Sequence, residues 1–366
     1  MIDRLYIDNF RTLVNFELRL GQVSLLLGPN GTGKSSVLDV LHGLQRLLGR
    51  AAAVADVFPA SELTRWENRS EQTFELDLRG EQGLFTYKLK LKHDVQNRRS
   101  TVESEILTLD DRPLFRCEAG RLILKGAGKP KSDVKVPYDN TSAMLSSFSA
   151  GGRPEAAEFK RRLLSMLVLR PCPPTMASDS AEEAAELELT AANFASWYRY
   201  IVRQDISRQL HLMKELTDAI DGFESLGLHG PADATVTLRA MIRPEKSAKA
   251  IAYKFGELSD GQRQLIVLYT LLRGLSDPGR ILLLDEPENF LALSEIEPWL
   301  ASLEDALGED IAQAVIISHN ADIIDRRAVE RGIWFARQHG GPTRIQTGKV
   351  KGDEPLRPSE IEARGW

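Results

Sequence analysis

The sequence has few cysteines and no long apolar run. Its 366 residues include 2 cysteines, Cys117 and Cys172, with no metal-ligand spacing around them. This excludes a disulfide framework and favours two inert thiols in a reducing compartment. The longest apolar runs, such as Ile281 to Leu284, are only as long as a strand, so no membrane span is expected. The segment 1–16 carries acids and arginines where a leader needs apolar residues, so the sequence predicts a cytoplasmic protein.

A surplus of basic charge is also missing. Lysine and arginine number 47 against 52 acidic residues, which gives a net charge of -5 and a pI near 5.8. Proteins that coat nucleic acid through a broad surface are usually basic, so any DNA contact must be local or made by a dimer. The 42% hydrophobic and 27% charged residues are globular values, and the length fits one large α/β domain with an insert or lobe.

Apolar and polar residues alternate at 2–8 and 14–20, which predicts two short strands, and Val23 to Leu27 is a continuous apolar strand. Four later alternating segments predict an antiparallel meander. A helical pattern without a sustained heptad predicts a small helical lobe at about 181–226, not a coiled coil. The meander is expected at 73–79, 84–92, 102–109 and 121–125, a helix at 155–168, and further strands at 234–242, 250–255, 281–284, 314–317, 333–336 and 344–346.

The strand at 23–27 ends in a glycine-rich loop that matches G-x-x-x-x-G-K-[ST] in full, from Gly28 to Ser35. Glycines let backbone N–H groups converge on phosphate oxygens, and the positive end of the following helix points to the same place. Lys34 is predicted to neutralise the β and γ phosphates, and Ser35 to offer its hydroxyl to Mg²⁺. A glycine-rich turn that binds nothing is the alternative. The strand before the loop and the amphipathic helix after it argue against that alternative.

A second apolar strand, Ile281 to Leu284, ends in the acids Asp285 and Glu286. Asp285 is predicted to hold the Mg²⁺ shell, and Glu286 to polarise the attacking water as general base. An apolar run followed by two acids is a weak pattern by itself, because a strand often ends in solvated carboxylates. The complete phosphate loop earlier in the chain favours the functional interpretation.

The segment Leu258-Ser259-Asp260-Gly261-Gln262 resembles the signature of ABC ATPases, whose usual form is L-S-G-G-Q. Ser259 and the Gly261 amide lie at a helix start, where a second anion can bind. In that family this helix end completes the nucleotide site of a partner subunit, so the resemblance implies a homodimer. Asp260 replaces a glycine, and an acid near a phosphate requires its side chain to turn away. An N-capped helix without a ligand is the alternative.

His319 follows the apolar strand 315–317 and resembles the switch histidine of ABC ATPases, which contacts the γ-phosphate. A single histidine after a strand is more often structural. Its place after the strand that carries Asp285 and Glu286 favours a role in hydrolysis.

The order of these motifs, with the opening Ile7-x-x-Phe-Arg11 and the segment Asp285-Glu-Pro-Glu-Asn289, resembles the RecF/SMC/OLD-like group of ABC ATPases over nearly the whole chain. The resemblance implies an α/β fold: a P-loop NTPase core of the ABC ATPase type, with an antiparallel β lobe and a small helical lobe. It implies an ATPase that uses ATP and Mg²⁺. The expected nucleotide contacts are Arg11, Gly28, Asn30, Gly31, Gly33, Lys34, Ser35, Ser36, Ser259, Gly261 and Gln262; the expected catalytic residues are Lys34, Glu286 and His319, and the expected metal ligands are Ser35 and Asp285.

Three segments are expected: an N-terminal ATPase half with the β lobe at 1–150, a helical lobe at 151–232 and a C-terminal ATPase half at 233–366. The chain lacks the long coiled coil of full SMC proteins, and too few residues follow His319 for the Toprim nuclease domain of OLD proteins. A Q-loop glutamine is not identifiable; the candidates are Gln45, Gln72 and Gln82.

Two functions are compatible with these residues. One is an ATP-dependent homodimer that acts on DNA in repair, recombination or phage defence; the other is an ATP-gated subunit that controls a separately encoded nuclease or toxin. The engine of a membrane transporter is disfavoured, because the β meander and the helical lobe do not suit it. The candidate phosphate-backbone contacts are Arg98, Arg99, Arg161, Arg162, Lys125, Lys129, Lys131 and Lys135.

Overall fold

A computed structural model describes residues 1–50, 52–118, 120–124, 134–148, 153–231, 234–244, 249–275, 279–346 and 357–363. The chain divides into two compact units, one made of Met1–Met166 with Ile324–Trp366 and the other of Leu167–Ile323. These units have other boundaries than the segments 1–150, 151–232 and 233–366, and that division into domains stays a prediction. Lys125, Lys129 and Lys131 lie outside the described residues, and of Lys135 only the backbone is described.

The first unit begins with strands and with the helix that follows the glycine-rich loop. Its first part contains β1 (Ile2–Asp8), β2 (Phe16–Arg19), β3 (Val23–Leu27), α1 (Lys34–Gly49), α2 (Val54–Val57), β4 (Glu71–Arg79), β5 (Leu84–Asp94), β6 (Arg99–Leu109), β7 (Arg112–Glu118), β8 (Arg121–Leu124), β9 (Val134–Pro137) and α3 (Pro154–Leu164). The meander is therefore longer than predicted, because β7 and β9 were not expected.

An antiparallel sheet makes up most of this unit, in the order β2-β1-β4-β5-β6-β7-β8-β9. Buried and more exposed residues alternate along β4, where Phe74, Leu76 and Leu78 enter the core. Phe58 stacks on Phe74 with ring centroids 4.6 Å apart, and the edge of Phe10 meets both rings. This aromatic cluster ties the turn that holds Arg11 to the sheet.

The second unit carries the acidic strand and the signature helix. It contains β10 (Leu167–Leu169), β11 (Asp179–Ser180), α4 (Phe194–Ile201), α5 (Ile206–Ala219), β12 (Phe223–His229), β13 (Val236–Ile242), β14 (Ile251–Lys254), α6 (Asp260–Arg273), β15 (Arg280–Asp285), α7 (Leu293–Asp305) and β16 (Ile311–Ile317). Strand β15 lies between β10 and β16, parallel to both. All six residues of β15 are buried, which explains its continuous apolar run.

The helical lobe is smaller than the pattern at 181–226 predicted. Helices α4 and α5 fall within that range, but 181–193 is irregular and Phe223–His229 is a strand. Backbone N–H groups of Arg170 and Cys172 donate to the carbonyls of Leu189 and Thr190, at 2.7 and 3.0 Å. These tertiary hydrogen bonds override the helix propensity of an Ala- and Glu-rich segment.

After α8 (Ala321–Arg331), the chain adds β17 (Gly332–Ala336), β18 (Arg344–Gln346) and α9 (Pro358–Ala363). In the first unit, β17 pairs in parallel with β3 and antiparallel with β18. The α/β class with a P-loop core, an antiparallel β lobe and a small helical lobe is confirmed. Within the described residues, none of the helices is both long and apolar enough to cross a membrane.

Glu105 is a fully buried acid of β6 in the antiparallel sheet. Its carboxylate accepts hydrogen bonds from the Tyr87 hydroxyl at 3.0 Å and from the N–H groups of Met144 and Leu145 at 2.6 and 3.1 Å. Burial raises the pKa of Glu105 from 4.5 to about 7, although these three hydrogen bonds act to lower it.

Replacing Glu105 by Gln should flatten the pH dependence of stability. The pKa of Glu105 is about 7 in the folded state and 4.5 in the unfolded state. Between these two pH values the folded chain therefore binds one more proton than the unfolded chain. Its stabilising effect is complete below pH 4.5 and is lost as the pH rises through 7, by roughly 3 kcal/mol in total. Urea unfolding at several pH values from 4.5 to 8 measures this. Equal slopes for Glu105→Gln and the parent would contradict it.

Candidate functional site

The loop between β3 and α1 has the backbone that a phosphate-binding loop needs. Its glycines at 28, 31 and 33 have φ of 127°, 76° and 91°, values that other residues rarely adopt. At Gly28 space is limiting as well, because a Cβ there would lie 2.1 Å from the Phe335 carbonyl oxygen of β17. The loop is therefore shaped by glycine and fixed against a strand from the far end of the sequence.

Lys34 begins α1, and its side chain turns back into the loop. The residue is 5% exposed, and Nζ donates to the carbonyls of Gly28 and Pro29, the latter at 3.1 Å. The ammonium is thus held at the loop, where it can neutralise a phosphate. Ser35 is partly exposed in the first turn of α1 beside buried Ser36, and Asn30 is exposed at the tip of the loop.

Two threonines distant in sequence support the loop from behind. The Thr343 hydroxyl donates to the Thr32 carbonyl at 2.8 Å and lies 2.9 Å from the Thr12 hydroxyl. The Thr343 N–H donates to the Thr12 carbonyl at 2.9 Å, and Thr343 is fully buried. Arg337 also donates to the Gly31 carbonyl, at 2.9 Å. The sequence showed none of this support, because its members are far apart along the chain.

Arg11 lies against the first turns of α1, next to the loop. Its guanidinium bonds the carboxylates of Asp39 and Glu62 and lies 3.5 Å from the Ser36 hydroxyl. Burial acts against its charge, but the bonds to Glu62 and Asp39 outweigh burial and raise the pKa of Arg11. The structure thus brings Arg11 and Ser36 together, as expected of neighbours in one site.

In the second unit, Asp285 ends β15 with a carboxylate that is only 4% exposed. Its Oδ2 accepts a hydrogen bond from Arg170 Nε at 2.7 Å. Its other oxygen, Oδ1, is buried and has no hydrogen-bond partner among the described residues. A buried carboxylate oxygen without a hydrogen-bond partner is a suitable ligand for a hard cation such as Mg²⁺. The described residues contain no group of three or more His, Cys, Asp and Glu side chains that could hold a metal alone.

Glu286 and His319 are neighbours at the ends of β15 and β16. The distance between Glu286 Oε1 and His319 Nε2 is 3.8 Å, and the Asn289 amide donates to Glu286 Oε2 at 2.7 Å. Glu286 has φ 51°, and its N–H donates to the Ile317 carbonyl at 2.9 Å. A left-handed backbone at a non-glycine residue is strained and is common at active sites. The candidate general base and the candidate switch histidine therefore belong to one cluster.

Glu288 supports this cluster and was not among the expected site residues. Its Oε1 accepts hydrogen bonds from the Ser318 hydroxyl and, at 3.2 Å, from the His319 N–H. Burial raises the pKa of Glu288, although these hydrogen bonds lower it. One signal in the sequence points to Glu288, since it is a second glutamate two positions after Glu286, but its partners cannot be predicted from the pattern.

The signature segment starts α6 as predicted. The Ser259 hydroxyl accepts from the Gln262 N–H at 3.2 Å, and the Gln262 side chain accepts from the Ser259 N–H at 3.1 Å. This capping box occupies both side chains within the chain itself. A Cβ on Gly261 would lie 3.0 Å from the Phe290 carbonyl, so the segment after Glu288 packs against the signature through its backbone.

Asp260, the residue that replaces a glycine of the usual signature, has a partner within its own helix. Its carboxylate pairs with Arg263, which also donates to the Pro173 carbonyl. The pair offsets the negative charge of Asp260 at a helix N-terminus, a place that favours anions.

Two candidate Q-loop glutamines have structural roles. Gln45 donates to the carbonyls of Leu163 and Met166, at 2.9 and 2.7 Å. Gln72 is buried and bonds the Asn9 carbonyl and His93. Gln82 lies exposed in the turn between β4 and β5.

Comparison with known proteins agrees with these motifs. The family described as "AAA ATPase domain" matches residues 1–82. The Hemin import ATP-binding protein HmuV of Photobacterium damsela subsp. piscicida is 63% identical over 30 residues, which are 8% of this chain and 11% of that protein. The solved SMC head domain from Thermotoga maritima matches with a TM-score of 0.47 and 14% identity, over 95% of this chain and 99% of that chain.

The phosphate loop, the acidic strand end and the signature helix follow one another in a chain whose first 82 residues match an ATPase domain. They define an ATP-binding P-loop ATPase. Within that class, the motifs resemble those of ABC-type ATPases of the SMC/RecF-like kind.

Thr343→Val should loosen the phosphate loop. The substitution removes the hydroxyl but keeps the shape, so the buried Thr32 carbonyl loses its donor. The expected loss is about 1–3 kcal/mol of unfolding free energy, together with weaker nucleotide binding. Urea unfolding and calorimetric titration with ATP measure both. Thr343→Ser keeps the hydroxyl and is the matched control; if both variants behave alike, the hydroxyl does not support the loop.

Proposed function

We propose that this chain binds and hydrolyses Mg²⁺-ATP as an ATP-dependent head-to-tail homodimer that acts on DNA. The observation that carries the proposal is the start of α6, where Arg263 pairs with Asp260 at a capped helix N-terminus, a place that favours anions. The signature resemblance assigns that helix end to the nucleotide of a second copy. A chain with both a phosphate loop and a signature thus offers two complementary half-sites.

The phosphate loop supplies the first half-site. Lys34 and the loop N–H groups would bind the β and γ phosphates, and Arg11 and Asn30 would lie beside them. Mg²⁺ would be held by Ser35 and Asp285, and when bound it neutralises phosphate charge during transfer. The unpartnered Oδ1 of Asp285 supports this assignment.

Glu286 is the proposed general base for hydrolysis. Its contact with the Asn289 amide fixes one carboxylate oxygen, and the other lies near His319. Glu286 would accept a proton from the attacking water while His319 contacts the γ-phosphate. Support comes from the positive φ of Glu286, a strained backbone of the kind that is common at active sites.

Ser259, Gly261 and Gln262 supply the second half-site, from the partner copy. The Ser259 hydroxyl and the amides at the start of α6 would bind the γ-phosphate and close the dimer. Hydrolysis would then release the two copies.

We propose that this ATP-bound dimer, called the clamp below, acts on DNA in repair, recombination or phage defence. Support comes from the RecF/SMC resemblance and from Arg98 and Arg99, which are exposed at the turn between β5 and β6. Arg161 and Arg162 are weaker candidates, because both lie near Glu81. Contacts of this kind would give binding that falls steeply with salt.

Glu286→Gln should slow ATP hydrolysis about 10²–10⁴-fold, the usual effect of losing a general base. It should also trap an ATP-bound dimer, because the clamp closes but does not release. Phosphate release and light scattering, with and without Mg²⁺-ATP and duplex DNA, measure both effects. Lys34→Ala is the control and should stay monomeric without binding ATP. A monomeric Glu286→Gln protein at saturating Mg²⁺-ATP with DNA would refute the clamp.

Ser259→Arg should block dimer formation and spare ATP binding by the monomer. The long cation would fill the helix end that the partner's phosphate needs, while the chain's own phosphate loop stays unchanged. Combining it with Glu286→Gln allows the dimer to be scored by light scattering and ATP affinity by calorimetry. Equal loss of binding and dimerisation would show that Ser259 serves the nucleotide of its own chain.

A further inference from the structure

Arg170 lies directly beside the candidate metal carboxylate. Strand β10 pairs in parallel with β15 so that Leu169 faces Leu284, and the next residue of each strand is Arg170 and Asp285. Arg170 Nε donates to Asp285 Oδ2 at 2.7 Å. The parallel register therefore places the guanidinium of Arg170 beside Asp285 at the end of β15.

The two partners differ in their freedom to move. The Asp285 side chain is 4% exposed, whereas that of Arg170 is 44% exposed. Asp285 is fixed at the end of a buried strand, whereas the long side chain of Arg170 is half-exposed and can rearrange when another cation takes its place. A buried carboxylate also needs a cation nearby, because an unpaired buried charge is strongly unfavourable.

We propose that Arg170 is a positioning residue that holds Asp285 until Mg²⁺ binds, and so sets the Mg²⁺ concentration at which ATP is bound together with its metal. This rests on the proposed function, which assigns Asp285 to Mg²⁺. Guanidinium and Mg²⁺ need the same carboxylate, so each weakens the binding of the other. Asp285 Oδ1 has no hydrogen-bond partner in the described part of the chain, so it would be available to a metal ion while Arg170 bonds Oδ2.

Arg170→Ala removes this competition. The Mg²⁺ concentration that half-saturates binding of a non-hydrolysable ATP analogue should fall about 3- to 30-fold, the effect of losing one charge-assisted hydrogen bond. Binding of the analogue in EDTA should stay unchanged, since Arg170 contacts the carboxylate and not the phosphates. Calorimetric titrations at a series of fixed Mg²⁺ concentrations, and in EDTA, measure both quantities without requiring turnover.

Two further variants complete the experiment. Arg170→Lys keeps the charge on a flexible stem without the planar fork, so the half-saturating concentration should fall by a smaller factor. It gives the same test if the alanine variant does not fold. Arg243→Ala is the matched control, since that arginine is 40% exposed and pairs with Glu224; it should leave the Mg²⁺ dependence unchanged.

An unchanged or higher half-saturating Mg²⁺ concentration in both Arg170 variants would overturn the inference. Weaker binding of Arg170→Ala in EDTA would also overturn it, because Arg170 would then be a phosphate ligand. If the parent protein binds no analogue at any Mg²⁺ concentration, the proposed function itself fails, whatever Arg170 does.

Discussion

The rest of the structure depends on one constraint: negative charges that lie close together, on a triphosphate or on buried carboxylates, need cations and N–H groups beside them. A triphosphate requires converging N–H groups and a cation, and the loop of the first unit offers both through Gly28 and Lys34. Such a loop has few contacts of its own to hold its shape. Thr343 and Arg337 supply them by bonding two of its carbonyls, at Thr32 and Gly31. Arg337 and Thr343, from the last part of the first unit, thus help to hold the shape of the glycine-rich loop.

In the second unit, two acids of the predicted motifs each have an arginine partner. Arg170 pairs with Asp285, and Arg263 pairs with Asp260. The first pair joins residues 115 positions apart, whereas the second lies within one helical turn. Asp260 is therefore paired within its own helix, while Asp285 is paired with a half-exposed side chain from a distant part of the sequence. This difference fits the proposed roles, in which Asp260 lies near a phosphate and Asp285 binds a metal.

Local chemistry made most of the fold and the motif residues predictable. Glycines followed by Lys34, the apolar strand before Asp285 and the cap at Ser259 each act within a few residues, so pattern alone located them. Contacts between distant segments were not predictable. The hydrogen bond from Thr343 to Thr32 spans 311 positions, and the irregular path of 181–193 depends on hydrogen bonds to Arg170 and Cys172. Sequence periodicity carries no information about such partners.

Glu288 connects the ends of strands β15 and β16 through hydrogen bonds. It follows β15 by three residues, yet its carboxylate bonds the Ser318 hydroxyl and the His319 N–H just after β16. The Glu286 N–H also bonds the Ile317 carbonyl, so these segments are joined on both sides of the candidate base. His319 and Glu286 are therefore held to each other's strand ends by hydrogen bonds rather than by a connecting loop. The candidate switch histidine is thereby joined by hydrogen bonds to the segment that carries the candidate general base, and all of these bonds lie within the second unit.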